Sequence, residues 1–183
     1  MKNIPNLLTV GRLLAVPVVV WLILIGRLDL AFWLFIAAGF SDALDGFLAR
    51  RLHATSAFGE MLDPVADKLL MVSIYIALGL LALLPTWLVI VVVSRDILIV
   101  SIFLGYTAFG AVAEISPLRI SKFNTAAQIT LAAVVLGQLG LSIDLSALVE
   151  WLIYLVAVTT VLSGTSYLVR LMRGTENSQD PAP

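Results

Sequence analysis

The chain has 183 residues, no cysteine and one histidine; 61% of it is apolar, 13% is charged, the net charge is −1 and the mean hydropathy is +1.06. A soluble domain is about a quarter charged and roughly half apolar, so this composition points to a polytopic membrane protein. It excludes disulfides, thiolate metal sites, iron–sulfur clusters and a histidine-built metal centre, and it gives no reason to expect a nucleic acid partner.

Six apolar stretches follow in chain order, at 8–26, 30–49, 58–84, 86–109, 119–140 and 146–172. Each is near the roughly 20 residues that a helix needs to cross the hydrocarbon layer. The first is rich in β-branched residues, but a spanning segment must satisfy its own backbone, which selects helix over strand. Lys2 precedes it, yet Arg12 interrupts its start and no small-x-small cleavage site follows, so it is expected to be a retained helix. Pro85-Thr86 separates the third stretch from the fourth, and Ser116-Pro117 is a cap-and-proline signature ahead of the fifth. The expected fold is an all-α integral membrane protein, six transmembrane helices forming one unit over 1–174, followed by a disordered polar tail over 175–183.

Charge placement orients these helices. Lys2, Arg12, Arg50, Arg51, Lys68, Arg95, Arg119, Lys122, Arg170 and Arg173 fall on one side, and of the 11 cations Arg27 alone falls on the other. The positive-inside rule then puts the N- and C-termini in the cytoplasm, with function at that face. No arginine- and serine-rich transit sequence is read, so the expected location is the bacterial inner (cytoplasmic) membrane.

The segment from Asp42 to Asp67 carries the chemistry. Asp42 and Asp45 are three apart on one helical face, continued by Gly46, Ala49 and Arg50. Gly59, Asp63 and Asp67 recur at intervals of four on the next helix. Two helices joined by a short basic connection can bring the four carboxylates together, with glycines where a ligand approaches backbone closely. Converging acids need cations, and an all-oxygen donor set suits Mg²⁺ or Mn²⁺, and also Ca²⁺, over zinc or copper. A pair of such ions serves phosphoryl chemistry, and a carboxylate less engaged with metal can accept a proton. The competing class is a proton- or cation-coupled transporter. Against it stand the short chain, the lack of an internal repeat and the lack of paired broken helices.

The string Asp42-x2-Asp45-Gly46-x2-Ala49-Arg50-x8-Gly59-x3-Asp63-x3-Asp67 resembles the CDP-alcohol phosphotransferase signature at every fixed position. The resemblance implies a six-helix enzyme, usually a homodimer, that moves a phosphatidyl or related group from a CDP-activated donor to an alcohol and releases CMP. It implies two ions held by Asp42, Asp45 and Asp63, with Asp67 as the base and also in reach of metal. It assigns Asp42, Gly46, Arg50 and Gly59 to the CDP site. Arg50 offers a planar fork for phosphate, whereas Arg51 reads as a topology charge and His53 as a loop residue. Lys68 is read either as a phosphate contact or as a partner to the acids.

The amino end, Ile4-Pro5-Asn6-Leu7-Leu8-Thr9-Val10-Gly11-Arg12, is similar to the start of bacterial members of this family that make phosphatidylglycerophosphate or cardiolipin. Asn6, Thr9 and Arg12 are therefore candidates for the donor; their plainer roles are capping for the first two and snorkelling for Arg12. On the fifth helix Ser121, Asn124, Thr125 and Gln128 form a polar stripe, with Lys122 beside it and Arg119 nearby. Ser94-Arg95-Asp96 interrupts the apolar fourth helix. Arg95, Arg119, Ser121, Lys122, Asn124 and Gln128 are candidates for an acceptor phosphate site; interhelical glue and a structural ion pair are the alternatives.

Ser94-Arg95-Asp96 and Ser121-Lys122-Phe123-Asn124-Thr125-Ala126-Ala127-Gln128 resemble the branch that joins CDP-diacylglycerol to phosphatidylglycerol, giving cardiolipin and CMP. The glycerol 3-phosphate branch more typically has an Arg-Glu pair and Gly-Lys-x-Lys-Thr at these places. The expectation is a transferase of phospholipid biosynthesis taking phosphatidylglycerol as acceptor, with phosphatidylglycerophosphate synthesis as the same-class alternative.

Overall fold

A computed structural model describes the backbone over residues 4–52, 57–108 and 119–176, and the side chains over 14–41, 68–102 and 119–169. Among the described residues the chain forms six α-helices and no strand: α1 (Ile4–Leu24), α2 (Leu28–Leu52), α3 (Ala57–Leu80), α4 (Thr86–Ala108), α5 (Arg119–Gly140) and α6 (Ser146–Glu176). The shortest, α1, has 21 residues, enough for about 30 Å at 1.5 Å per residue. Two of them, Arg119–Gly140 and Ser146–Val169, are long and apolar enough over described residues to cross a membrane.

α1 packs on α2 and α3, α2 packs on α5, α5 on α6, α6 on α4 and α4 on α3. The helices thus close a ring in the order α1, α2, α5, α6, α4, α3, with α3 and α5 also touching across it. Val19 and Ile23 of α1, Ile74 and Leu78 of α3, Leu88 and Val92 of α4, Leu131 and Leu136 of α5 and Val156 of α6 fill the interior. Among the described residues α2 and α3 do not touch, and α1 and α5 each neighbour both.

The outside is as apolar as the inside. Leu80, Phe40, Ile90, Tyr154 and Val158 are exposed, and exposed Thr130 and Thr165 and half-buried Ser166 return their hydroxyls to the carbonyls of Ala126, Val161 and Leu162. A hydroxyl bonded to its own helix needs no water. All 4 tryptophans, Trp21, Trp33, Trp87 and Trp151, are exposed and sit near the short connections at one end of the bundle.

Those connections share one helix stop. After α1 the amide of Arg27 donates to Leu22 O and that of Gly26 to Ile23 O, with Gly26 at φ 75°. After α3 the amide of Leu83 donates to Leu78 O and that of Ala82 to Gly79 O, with Ala82 at φ 55°. After α5 the amide of Ile143 donates to Gln138 O, with Ser142 at φ 54°. This is the left-handed cap that satisfies the last carbonyls of a helix. It explains why α3 ends at Leu80 while the apolar run continues to Leu84. The turn residues are themselves apolar, so hydropathy does not register the stop. Asp144 Oδ1 accepts the Ser146 amide at 3.1 Å to open α6, which holds its carboxyl below the usual range.

α5 and α2 approach closely. A Cβ on Gly140 would lie 2.7 Å from Leu28 O and 2.8 Å from Asp29 N, so only glycine fits against the start of α2. At the other end α6 continues to Glu176, and 177–183 lie outside the described residues, as does His53.

Candidate active site

The alternating direction of the helices brings the start of α1, the end of α2, the starts of α3 and α5 and the end of α6 to the end of the bundle away from the tryptophans. Asp42, Asp45, Gly46 and Arg50 fall in the second half of α2; Gly59, Asp63 and Asp67 fall in the first half of α3; Asn6, Thr9 and Arg12 fall in the first half of α1. The side chains of these ten residues lie outside the described ones, as does that of Arg51.

Next to the motif, four helices meet in a buried polar cluster. Lys68, which follows Asp67, donates from Nζ to Asp96 Oδ1 at 3.0 Å and to Thr125 Oγ1 at 3.5 Å. Arg95 Nη1 donates to the same Asp96 Oδ1 at 2.6 Å. Arg95 Nη2 donates to Ser121 Oγ and Ser163 Oγ, both at 2.6 Å, and Nε donates to Ser163 Oγ at 3.2 Å. Asp96 is 0% exposed and Arg95 5%, so the acid sits buried between two cations. A buried charge persists only when paired and hydrogen-bonded, and these groups pair with one another from α3, α4, α5 and α6, Asp96 through its Oδ1. Among the described residues the cluster holds two cations and one acid. Cations are what a phosphate-bearing ligand requires.

The residues proposed from sequence for the acceptor separate into four places. Arg95 and Ser121 lie in this cluster. Asn124 turns to α6, where Thr159 and Thr160 donate to its Oδ1 at 2.7 and 2.9 Å. Gln128 is buried against α3, where Tyr75 donates to its backbone carbonyl at 3.1 Å. Arg119 and Lys122 face outward at the start of α5. Among the described residues Asp96 Oδ2, Asn124 Nδ2 and both polar atoms of the Gln128 side chain have no partner. Buried polar atoms in that state are places for water or a ligand group.

Sequence reasoning missed Ser163 and the Thr159-Thr160 pair. Their spacing of three and four places them on one face of α6, and that is the signal that would have found them.

The CDP-alcohol phosphatidyltransferase family model matches residues 2–162, and the chain belongs to that family. It is 36% identical over 182 residues to a cardiolipin synthase (CMP-forming)/mitochondrial hydrolase fusion protein of Schizosaccharomyces pombe, covering 91% of this chain and 31% of the relative. It is 33% identical over 181 residues to human cardiolipin synthase (CMP-forming), covering 90% of this chain and 60% of the relative. It is 32% identical over 183 residues to the CDP-diacylglycerol–glycerol-3-phosphate 3-phosphatidyltransferase of Bacillus subtilis, covering 91% of this chain and 94% of the relative. The chain therefore spans about a third to three fifths of the cardiolipin synthases it matches and nearly all of the bacterial relative.

Proposed function

We propose that this protein transfers the phosphatidyl group of CDP-diacylglycerol to the hydroxyl of phosphatidylglycerol, giving cardiolipin and CMP. The observation that carries this reading is the complete aspartate motif, divided between α2 and α3, with a cluster of two cations and one acid among the described residues that follow it. Family membership and the names of the relatives support an enzyme over a cation-coupled transporter.

Asp42, Asp45, Asp63 and Asp67 form an all-oxygen donor set that fits two Mg²⁺ or Mn²⁺ ions. Bound there, such ions would neutralise the pyrophosphate oxygens and the departing CMP. Asn6, Thr9, Arg12, Gly46, Arg50 and Gly59 serve the CDP donor, the glycines by admitting it close to backbone and Arg50 by a forked contact to phosphate. Asp67 takes the proton of the attacking glycerol hydroxyl. A new bond forms from that oxygen to the phosphatidyl phosphorus, the phosphoanhydride bond breaks and CMP leaves. Arg95, Arg119, Ser121, Lys122, Asn124 and Gln128 serve the acceptor. Within that set Arg95 and Ser121 supply the buried end, and Arg119 and Lys122 supply charge at the mouth.

In the same reading a single six-helix unit over 1–174 crosses the bacterial cytoplasmic membrane six times and works as a homodimer. Both termini and the active site face the cytoplasm. The exposed apolar surface, the tryptophans at one end and the cations at the other support this orientation.

A second reading, with glycerol 3-phosphate as acceptor, is favoured by the near-full-length bacterial relatives that carry that name. A dianionic soluble acceptor calls for more cations than the sequence around the fourth-to-fifth junction supplies, with Arg95, Arg119 and Lys122 offset by Asp96 and Glu114. Purified protein given CDP-diacylglycerol is expected to release CMP and make cardiolipin with phosphatidylglycerol, with glycerol 3-phosphate a poor acceptor. The reverse preference in one side-by-side assay would overturn the acceptor and leave the phosphotransfer chemistry standing. Absence of CMP release with both would sink the enzyme reading.

A further inference from the structure

A guanidinium has five N–H donors in one plane, so whatever takes them decides where the remainder point. In Arg95 the Ser163 hydroxyl accepts along one edge, from Nε at 3.2 Å and from Nη2 at 2.6 Å. Ser121 takes the other Nη2 hydrogen and Asp96 takes one from Nη1. Among the described residues this leaves one Nη1 hydrogen uncommitted. Asp96 is in turn the acceptor for Lys68, so the plane chosen by Ser163 also bears on that ammonium.

Ser163 is 0% exposed and belongs to α6, which carries none of the aspartate motif. A Cβ added to neighbouring Gly164 would meet Arg95 Cγ at 3.7 Å, an ordinary packing contact with room to spare. The hydrogen bonds that Ser163 accepts orient the guanidinium, while Gly164 leaves ordinary packing room beside its stem.

The geometry points to Ser163 as a positioning residue for acceptor use, holding Arg95 so that its uncommitted N–H serves the acceptor phosphate. This rests on the reading that Arg95 belongs to the acceptor site, and it adds α6 to the elements on which acceptor use depends. Interhelical glue, the plainer role, predicts lost stability and no change in acceptor binding.

The test uses the full chain in lipid nanodiscs, with wild type, Ser163→Ala, Ser163→Thr and Gly164→Ala. CMP release is followed while CDP-diacylglycerol and phosphatidylglycerol are varied in turn, and the thermal midpoint of each variant is recorded. Ser163→Ala is expected to raise the KM for phosphatidylglycerol about tenfold, as fits the loss of a hydrogen bond to a charged group. Its KM for CDP-diacylglycerol should not change. Ser163→Thr, which keeps the hydroxyl, should restore most of the loss, and Gly164→Ala should behave as wild type. If Ser163→Ala is too unstable to purify, Ser163→Cys keeps the volume with a weaker acceptor and should show the same split at smaller size. A lowered thermal midpoint with both KM values unchanged would overturn the positioning role, as would equal rises in both or no rescue by threonine. Wild type that releases no CMP would fail the enzyme reading and this role together; active wild type with an unaffected Ser163→Ala fails the role alone.

Discussion

Asp67 and Lys68 are consecutive on α3, and an α-helix turns about 100° per residue, so they serve different faces. Lys68 is drawn to Asp96 and Thr125. Asp67 is the residue the proposed mechanism uses as base. Asp67→Asn preserves shape and removes both the proton acceptor and a charge. Turnover should fall by about 10² or more, with helix content and thermal midpoint unchanged. Near-normal turnover in the folded variant would move the base role elsewhere. Arg95 illustrates what one residue's neighbours in sequence do not reveal. Spacing along α4 leaves a phosphate contact and a structural pair equally open. Its partners come from positions 26 and 68 residues away, and those distances in sequence carry no periodic signal.

At the scale of elements, hydropathy marked all six helices, because in lipid a backbone must close its own hydrogen bonds. It marked the end of α3 poorly, because the cap there is built from leucine and alanine. Two substitutions at helix ends should act in opposite directions. Ala82 holds φ 55°, where an L-residue is strained, and Ala82→Gly should stabilise the fold by about 0.5–1 kcal/mol. Gly140→Ala would push a methyl to 2.7 Å from Leu28 O, against backbone with little freedom to move. It should destabilise by about 1–3 kcal/mol. Thermal unfolding of the two variants in one detergent checks both signs. Equal midpoints for Gly140→Ala and wild type would mean that α5 and α2 are less tightly joined than the packing implies.

The whole molecule places its polar chemistry at one end and its tryptophans at the other, within a shell of exposed leucine, isoleucine and valine. Four acids facing a pyrophosphate would repel it without cations between them. Excess chelator should therefore abolish CMP release, and added Mg²⁺ or Mn²⁺ should restore it. Full activity in rigorously metal-free buffer would remove the two-ion reading. Helix number and the aspartate motif were legible in the linear sequence, because each depends on runs or on short spacings along a helix. The ring order of the helices, the glycine contact of α5 with α2 and the clasp joining Lys68, Asp96, Arg95, Ser121 and Ser163 were decided by tertiary structure. They depend on which apolar faces pack together, and in chains this uniformly hydrophobic the pattern along one helix does not specify its neighbour.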